Sequence, residues 1–386
     1  MINIKINRKK IQSLDLWLIA AVCGLAVFGI ICIGSALRVN QGEDPSGYYS
    51  QMMFFVMGLV IMFAIAFIDL DYFSKSDKVI YLANLVLLLA VIFFGKSSNN
   101  AVRWIKIGPI TIQPSEFAKV IMIFCMANFI DKKKDSINNI NVILRLCIAE
   151  AIPVLMVFVQ PALSASIVIM VIFCIQMFVS ELDYRFIFKV LIIVVPVVVF
   201  VVWDCTRENP ILINHILKDY MITRVRDLVV QDPGSDTYYQ TMKSISAISS
   251  GQLKGKGLYQ GTLNQLSYLP EPQNDFIFSV IGEEFGFVGC VGVLALMFFI
   301  IARCIMAAMD TDSMRERLIA VGVAGMLAFQ TFVNVGVATG IMPNTGMSLP
   351  FVSSGGSSLW TNMAAIGLVL NIKLRNSRTL FEGEYL

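Results

Sequence analysis

Residues 267–278 read SYLPEPQNDFIF and set a carboxylate, Asp275, directly before the apolar triplet Phe276-Ile277-Phe278. A second acid, Glu271, stands between the two prolines just upstream, and two more, Glu283 and Glu284, follow inside the hydrophobic run that the triplet opens. Placing an ionisable side chain in or at the edge of a bilayer costs several kcal/mol unless it is used or paired, so each acid is a functional candidate. Their roles can be separated in part. Glu271, after Pro270, reads as an acceptor that orders a loop. Glu283 and Glu284 are neighbours on a helical turn and cannot both face one site, so at least one is expected to pair with a buried base. Asp232, in QDPGSD, reads as a turn residue.

A second charged group lies in NNAVRWIKIGPITIQPSEFAKV, residues 99–120. Glu116 and Lys119 are three apart, share a helix face and can pair. Arg103 adjoins Trp104, an aromatic of the kind that anchors at a membrane interface. Spacing leaves two readings open: a structural ion pair with an interface belt, or a cationic pocket for a phosphate carried by a lipid. A third stretch, GIMPNTGMSLPFVSSGGSSLWTNM (340–363), interrupts apolar sequence with two prolines, four glycines and Ser353, Ser354, Ser357 and Ser358. Broken helices at membrane depth are tolerated where the backbone is buried in protein or lines a cavity. A Gly-Gly-Ser-Ser turn that starts a helix can aim N–H groups at an anion. What is scarce narrows the chemistry further. His215 is the single histidine, which argues against a multi-histidine metal centre or a Ser-His-Asp catalyst, and it reads as a structural or surface residue.

The elements that must position these groups follow from composition. Of 386 residues, 57% are hydrophobic and 15% charged, where a soluble domain carries about 25% charged residues. The chain reads as an all-α polytopic membrane protein with ten spans, at 16–36, 50–69, 79–95, 113–130, 143–160, 163–180, 187–204, 276–302, 318–340 and 358–374. Only Gln160-Pro161 punctuates the fifth and sixth. The first span follows KINRKK without a small-residue cleavage site and reads as a retained helix. With the N terminus cytoplasmic, eighteen of the thirty Lys and Arg fall in inside segments and four in the short outside loops. That asymmetry places both termini inside. The eight cysteines lie mostly within spans and suggest neither a disulfide nor a zinc site.

One connection is long. Residues 205–275 form an outside segment that holds the amphipathic stretch ILINHILKDYMITRVRDLV and then YYQTMKSISAISSGQLKGKGLYQGT, with Lys243, Lys254 and Lys256. A loop of that length in a helical bundle is usually functional or disordered, and this composition is not that of a linker. It reads either as a surface helix with a glycine-softened return or as the lid and floor of a site in the membrane. The whole chain reads as one membrane domain, with cytoplasmic tails at 1–15 and 375–386.

Taken together, RWIKIGPITIQPSEFAK, YYQ…SISAISSGQLKGKGL, YLPEPQNDFIFSVIGEEFGFVG and MPNTGMSLPFVSSGGSSLWTNM closely resemble the shape, elongation, division and sporulation (SEDS) family, the RodA, FtsW and SpoVE type, in order and spacing over essentially the full length. The resemblance implies a ten-helix glycosyltransferase of the bacterial cytoplasmic membrane. It would polymerise lipid II, a disaccharide-pentapeptide on undecaprenyl diphosphate, into glycan strands on the outer face, beside a class B penicillin-binding protein. Membrane lipid is the other expected partner; nucleic acid is not. The family's essential acid maps onto Asp275. A carboxylate in partly apolar surroundings is a better general base for the acceptor's sugar hydroxyl. Arg103, Lys119, Lys243, Lys254 and Lys256 are then candidates to stabilise the departing diphosphate, with Glu116, Glu271, Glu283 and Ser357 in support. A divalent cation, Mg or Mn, could share that work, though no ligand set demands it.

The chain departs from the family in two places. The usual Gln-Pro-Asp-Leu-Gly is QPALS here, with Ala162 and Ser164 at the changed positions, and the usual His-Thr before the acid is Gln273-Asn274. Two other functions fit the same features: a lipid II transporter, and a non-catalytic scaffold of the elongation or division machinery.

Overall fold

A computed structural model describes residues 14–38, 44–94, 96–98, 101–107, 110–160, 162–207, 222, 226, 235–266, 268–269 and 271–383. His215, Asp232 and nearly all of the amphipathic stretch 211–229 lie outside the described residues. The apolar runs fold as helices because only a helix satisfies every backbone group within a single segment in lipid. In chain order these are α1 (Leu16–Ala36), α2 (Ser46–Phe67), the short α3 (Leu70–Ser74), α4 (Asp77–Phe94), α5 (Pro114–Asp131), α6 (Ile140–Val159), α7 (Leu163–Val179), α8 (Tyr184–Thr206), α9 (Asp236–Ser250), the single turn α10 (Thr262–Gln265), α11 (Ile277–Met309), α12 (Met314–Ala338) and α13 (Gly356–Gly383). Each expected span coincides with one long helix. Six of them (α1, α2, α6, α8, α11 and α12) are long and apolar enough to cross a membrane by length and composition. The chain is a multi-pass helical membrane protein.

The all-α fold carries one small sheet. Residues 96–112, read as a loop, form a small antiparallel sheet in the order β1 (Lys96–Ser98), β2 (Ala101–Ile107), β3 (Ile110–Ile112). Ile105 stands opposite Ile112, and Lys106 opposite Thr111. The alternation in AVRWIKI and the Gly108-Pro109 that follows it are hairpin signals. The sheet hangs Arg103 and Trp104 at the start of α5.

The centre of the bundle is α12, which packs against α5, α7, α11 and α13. Amide side chains pin the helices where apolar packing alone would let them slide. Gln176 of α7 donates to the carbonyls of Ile123 (2.8 Å) and Leu318 (3.2 Å), on α5 and α12. Pro153, inside α6, removes the N–H that would bond the Ala149 carbonyl, and the Tyr81 hydroxyl donates to that carbonyl at 2.7 Å.

Within α11, Gly286 breaks the helix with φ +66° and ψ −161°, a conformation open essentially only to glycine. The backbone groups freed there are taken by residues 251–257. Lys256 and Gly257 donate N–H groups to the carbonyls of Glu283 (3.0 Å) and Glu284 (2.9 Å), while Phe287 and Val288 donate to the carbonyls of Gln252 (2.8 Å) and Leu253 (3.2 Å). GQLKGKG is therefore a backbone plug for the broken helix, and α9 leads into it along α11. Ser244 of α9 is held to α11 and α12, its hydroxyl 2.5 Å from that of Ser279 and donating to the Ala338 carbonyl at 2.6 Å. A Cβ on Gly255 would lie 2.1 Å from the Glu284 carbonyl oxygen.

At the opposite end of the bundle, acids cross-link helix termini. Asp15 caps α1 through the Leu18 N–H and accepts from Arg303 (2.6 Å) and Lys373 (2.7 Å). Asp71 of α3 binds Arg375 (2.5 Å) and Arg315 (2.6 Å). The hydrogen bond from Arg375, then that from Arg315 against an opposing effect of burial, holds the Asp71 carboxyl down at about 2.

Two outcomes follow for stability. Gly255→Ala should lower stability by about 2–4 kcal/mol through overpacking and strain. Gly292→Ala, where nothing lies within 4 Å of an added Cβ, should not, as thermal unfolding in detergent will report. Because the folded value of Asp71 lies below the unfolded one, its contribution is complete at neutral pH and is lost as pH falls through about 2. Asp71→Asn should flatten the acid limb of the unfolding midpoint between about pH 4 and pH 2.

Candidate functional site

Asp275 stands immediately before the helix cap of α11, Phe276, and its backbone is held by the interrupted stretch between α12 and α13. Three consecutive carbonyls are taken in turn. Gln273 accepts from the Ser354 N–H (2.9 Å), Asn274 from the Ser353 hydroxyl (2.7 Å) and Asp275 from the Asn334 side-chain amide (3.0 Å). The same Asn334 nitrogen donates to the Met347 carbonyl at 2.7 Å. Gly346, at φ +69°, brings the backbone alongside the acid: a Cβ there would be 3.6 Å from Asp275 Oδ2. The prolines, glycines and serines of 340–358 thus serve first to deliver donors and a bare backbone to the loop that carries Asp275.

This carboxylate opens on a cavity of about 700 Å³. One wall is Arg103 and Trp104 of β2 with Gln113, Glu116 and Lys119 at the start of α5; another is Ala162, Ser164 and Gln330; a third is Gln240, Glu271 and Asn274; the last is Asn344, Ser348, Ser354, Ser357 and Ser358. Trp104, read as an interface anchor, lines the cavity. Lys119 is only 2% exposed, and its ammonium lies 2.7 Å from Glu116 Oε2, whose side chain is 13% exposed. The two readings of this pair are therefore compatible: an ion pair that also faces the cavity. Ser357, in the first turn of α13, accepts the Gln113 N–H at 3.0 Å and joins that helix to α5. Glu271 has φ +43° and accepts from the Asn274 side-chain amide at 3.0 Å, so it orders its loop while lining the cavity.

Arg103, Lys119, Glu116, Glu271, Ser357 and Asp275 therefore meet in one place. The three lysines of the long segment are not among the residues that line this cavity. Lys256 is spent on Glu283, at 2.7 Å. Glu283 is fully buried and also accepts the N–H groups of Leu263 (2.9 Å) and Asn264 (3.3 Å), capping α10, so its support is architectural. Lys243 sits over the rings of Tyr239 and Tyr268, about 5 Å from each. Lys254 lies in the plug. Glu284 turns away from Glu283 and accepts from the Ser35 hydroxyl at 2.5 Å.

The charges alone did not disclose Gln113, Gln240, Gln330, Asn344 and Ser348, which make most of the cavity wall polar without charge. A signal existed: Gln330 and Asn334 are four apart within the apolar run of α12, hence on one helix face. Both altered family positions, Ala162 and Ser164, also lie on the wall, and the Ser164 hydroxyl donates to the Thr345 carbonyl. Nothing in the structure explains why alanine stands at 162. An acid and two cations that line one cavity with amides and hydroxyls can take a proton and hold an anionic group.

Breaking the Glu116–Lys119 pair should expose an uncompensated charge. Lys119→Met is expected to cost roughly 3–5 kcal/mol, and adding Glu116→Gln should recover most of it. A double-mutant cycle on thermal unfolding measures this.

Known proteins share this arrangement's sequence and fold. The family model described as "Cell cycle protein", of FtsW, RodA and SpoVE, matches residues 15–378. The chain is 35% identical over 364 residues to the peptidoglycan glycosyltransferase MrdB of Escherichia coli K12, covering 93% of each. It is 32% identical over 384 residues to a probable peptidoglycan glycosyltransferase FtsW of Wigglesworthia glossinidia brevipalpis, covering 94% of this chain and 95% of the relative. In structure it is similar to a chain of a peptidoglycan synthase complex that coordinates polymerization and crosslinking (TM-score 0.79, 30% identity, 94% of this chain and 98% of that one). It is also similar to the rod shape determining protein RodA of Thermus thermophilus (TM-score 0.67, 27% identity, 93% and 96%). With that match over nearly its whole length, the chain belongs to the FtsW, RodA and SpoVE family.

Proposed function

We propose that the chain is a peptidoglycan glycosyltransferase that polymerises lipid II, with Asp275 as its general base. The observation that carries this reading is the meeting of Asp275 with Arg103 and Lys119 in one polar cavity at one end of the bundle. In the step proposed, a sugar hydroxyl of the acceptor attacks the anomeric carbon of the donor. The new glycosidic C–O bond forms as the bond to the lipid diphosphate breaks, and the hydroxyl proton passes to the Asp275 carboxylate. Arg103 and Lys119 take up the charge that develops on the leaving diphosphate. Both substrates are anchored in lipid, so their sugars meet just beyond the bilayer surface. The position of Asp275 directly before α11 supports an acid at such a height.

Orientation follows from the basic residues. Ten spans with both termini cytoplasmic put the cavity on the outer face. A class B penicillin-binding protein is the proposed partner, in keeping with the related chain found in a synthase complex. Among the described residues no group of three or more His, Cys, Asp or Glu could hold a metal ion. A divalent cation would therefore draw most of its ligands from the diphosphate and water.

Reconstitution with purified lipid II, with and without a class B penicillin-binding protein, tests this. Wild-type protein should make glycan, and Asp275→Asn should slow it about 10²–10⁴-fold. Polymerisation at the wild-type rate by Asp275→Asn removes the base. Wild-type protein that moves lipid II across vesicles without joining it establishes a transporter instead.

A further inference from the structure

We propose that Asn334 is a positioning residue for Asp275, fixing the orientation of the base through its backbone; this rests on the reading of Asp275 as general base. The Asp275 carbonyl lies outside the ladder of α11, since the first helical amides, those of Ser279 (2.9 Å) and Val280 (3.3 Å), donate to Phe276. The Asn334 side-chain amide holds that carbonyl at 3.0 Å. The other proton of the same nitrogen goes to Met347, 2.7 Å away, next to the glycine whose backbone passes the carboxylate. One side-chain nitrogen thus ties together the backbone that carries the acid and the backbone that faces it.

The residue type fits that task. Two N–H donors on one nitrogen at the end of a short side chain are what a carboxamide offers; aspartate offers none when ionised and serine one. Asn334 is fully buried in α12, and its own Oδ1 has no hydrogen-bond partner. A buried orphan acceptor destabilises the fold, so its retention points to the two donors. Since α12 packs against α5, α7, α11 and α13, the bond references the base to the centre of the bundle, which also carries the Lys119 wall. The ionisable groups that share the cavity with Asp275 are Arg103, Glu116, Lys119 and Glu271.

Asn334→Leu keeps the number and branching of the side-chain heavy atoms, at a larger volume, and removes both donors. Asn371 supplies a matched control, because its side-chain amide donates to the Ile65 (2.9 Å) and Ala66 (3.0 Å) carbonyls of α2, at the end of the bundle away from the cavity. With lipid II as substrate and rates counted per folded molecule, Asn334→Leu should lose about 10- to 100-fold in kcat through misplacement of the base. Its KM should hold within about twofold. The limb of its kcat–pH profile that Asp275→Asn abolishes should move by about half a pH unit or more. Asn371→Leu should lower the unfolding midpoint and leave kcat and that limb at wild type. Equal behaviour of the two leucine variants in kcat and pH profile overturns the inference.

If Asn334→Leu does not fold, Ser353→Ala, which removes the donor to the Asn274 carbonyl, decides. A lowered kcat with unchanged KM supports the clamp, and a wild-type kcat overturns it. Retained activity in Asp275→Asn would instead sink the assignment of the base. An inactive Asp275→Asn beside a fully active, folded Asn334→Leu would sink only the role of Asn334.

Discussion

A backbone N–H or C=O left unpaired at membrane depth costs several kcal/mol, and that requirement organises this molecule. Two helical paths are interrupted, at Gly286 in α11 and between α12 and α13. Each interruption exposes groups that another segment must satisfy. Residues 251–257 repair the first with four backbone hydrogen bonds. Ser353, Ser354 and Asn334 engage the carbonyls before α11 at the second. The glycines matter because repair of this kind demands contact between main chains, and at Gly255 and Gly286 an added Cβ would lie only 2.1 and 2.3 Å from backbone atoms.

The same economy governs charge. Several ionised groups among the described residues hold elements together: Asp15 with Arg303 and Lys373, Asp71 with Arg315 and Arg375, Glu283 with Lys256. They bind helix ends and a capped turn, and their partners hold them in fixed geometry. The cavity differs in kind. Its acids, Glu116, Glu271 and Asp275, and its cations, Arg103 and Lys119, share a polar space with amides and hydroxyls. A bound anion there would compete with Glu116 for Lys119, whose ammonium lies 2.7 Å from that carboxylate.

Sequence reading reached the helices and their order, because ten apolar runs leave lipid few alternatives. It also reached Arg103, Glu116, Lys119, Glu271, Ser357 and Asp275 as residues of interest, and the fold brings these together. It named Lys243, Lys254 and Lys256, with Arg103 and Lys119, as candidates to stabilise a departing diphosphate because the resemblance implies that leaving group. The physical reason the loop of Lys254 and Lys256 is glycine-rich is the close passage against Gly286. The sheet at 96–112 was legible in its alternation but overshadowed by the helical context. Asn334 and Gln330 were hidden among apolar neighbours, since an uncharged amide in a membrane helix reads as packing until its partners are known.

The departures from the family's usual residues before the acid can be understood from the way the loop is held. Gln273 and Asn274 stand where His and Thr are usual, yet the contacts from Ser354 and Ser353 go to their carbonyls, not to their side chains. A clamp on backbone atoms is indifferent to the side chains it carries, so both positions can change while Asp275 keeps its place. The Asn274 side chain is then free to donate to Glu271, tightening the loop from within. Position 162 obeys a different logic, because it lies on the cavity wall and adds nothing to the clamp. Alanine there removes a carboxylate from the wall that carries Ser164, and leaves the negative charge of the cavity with Glu116, Glu271 and Asp275.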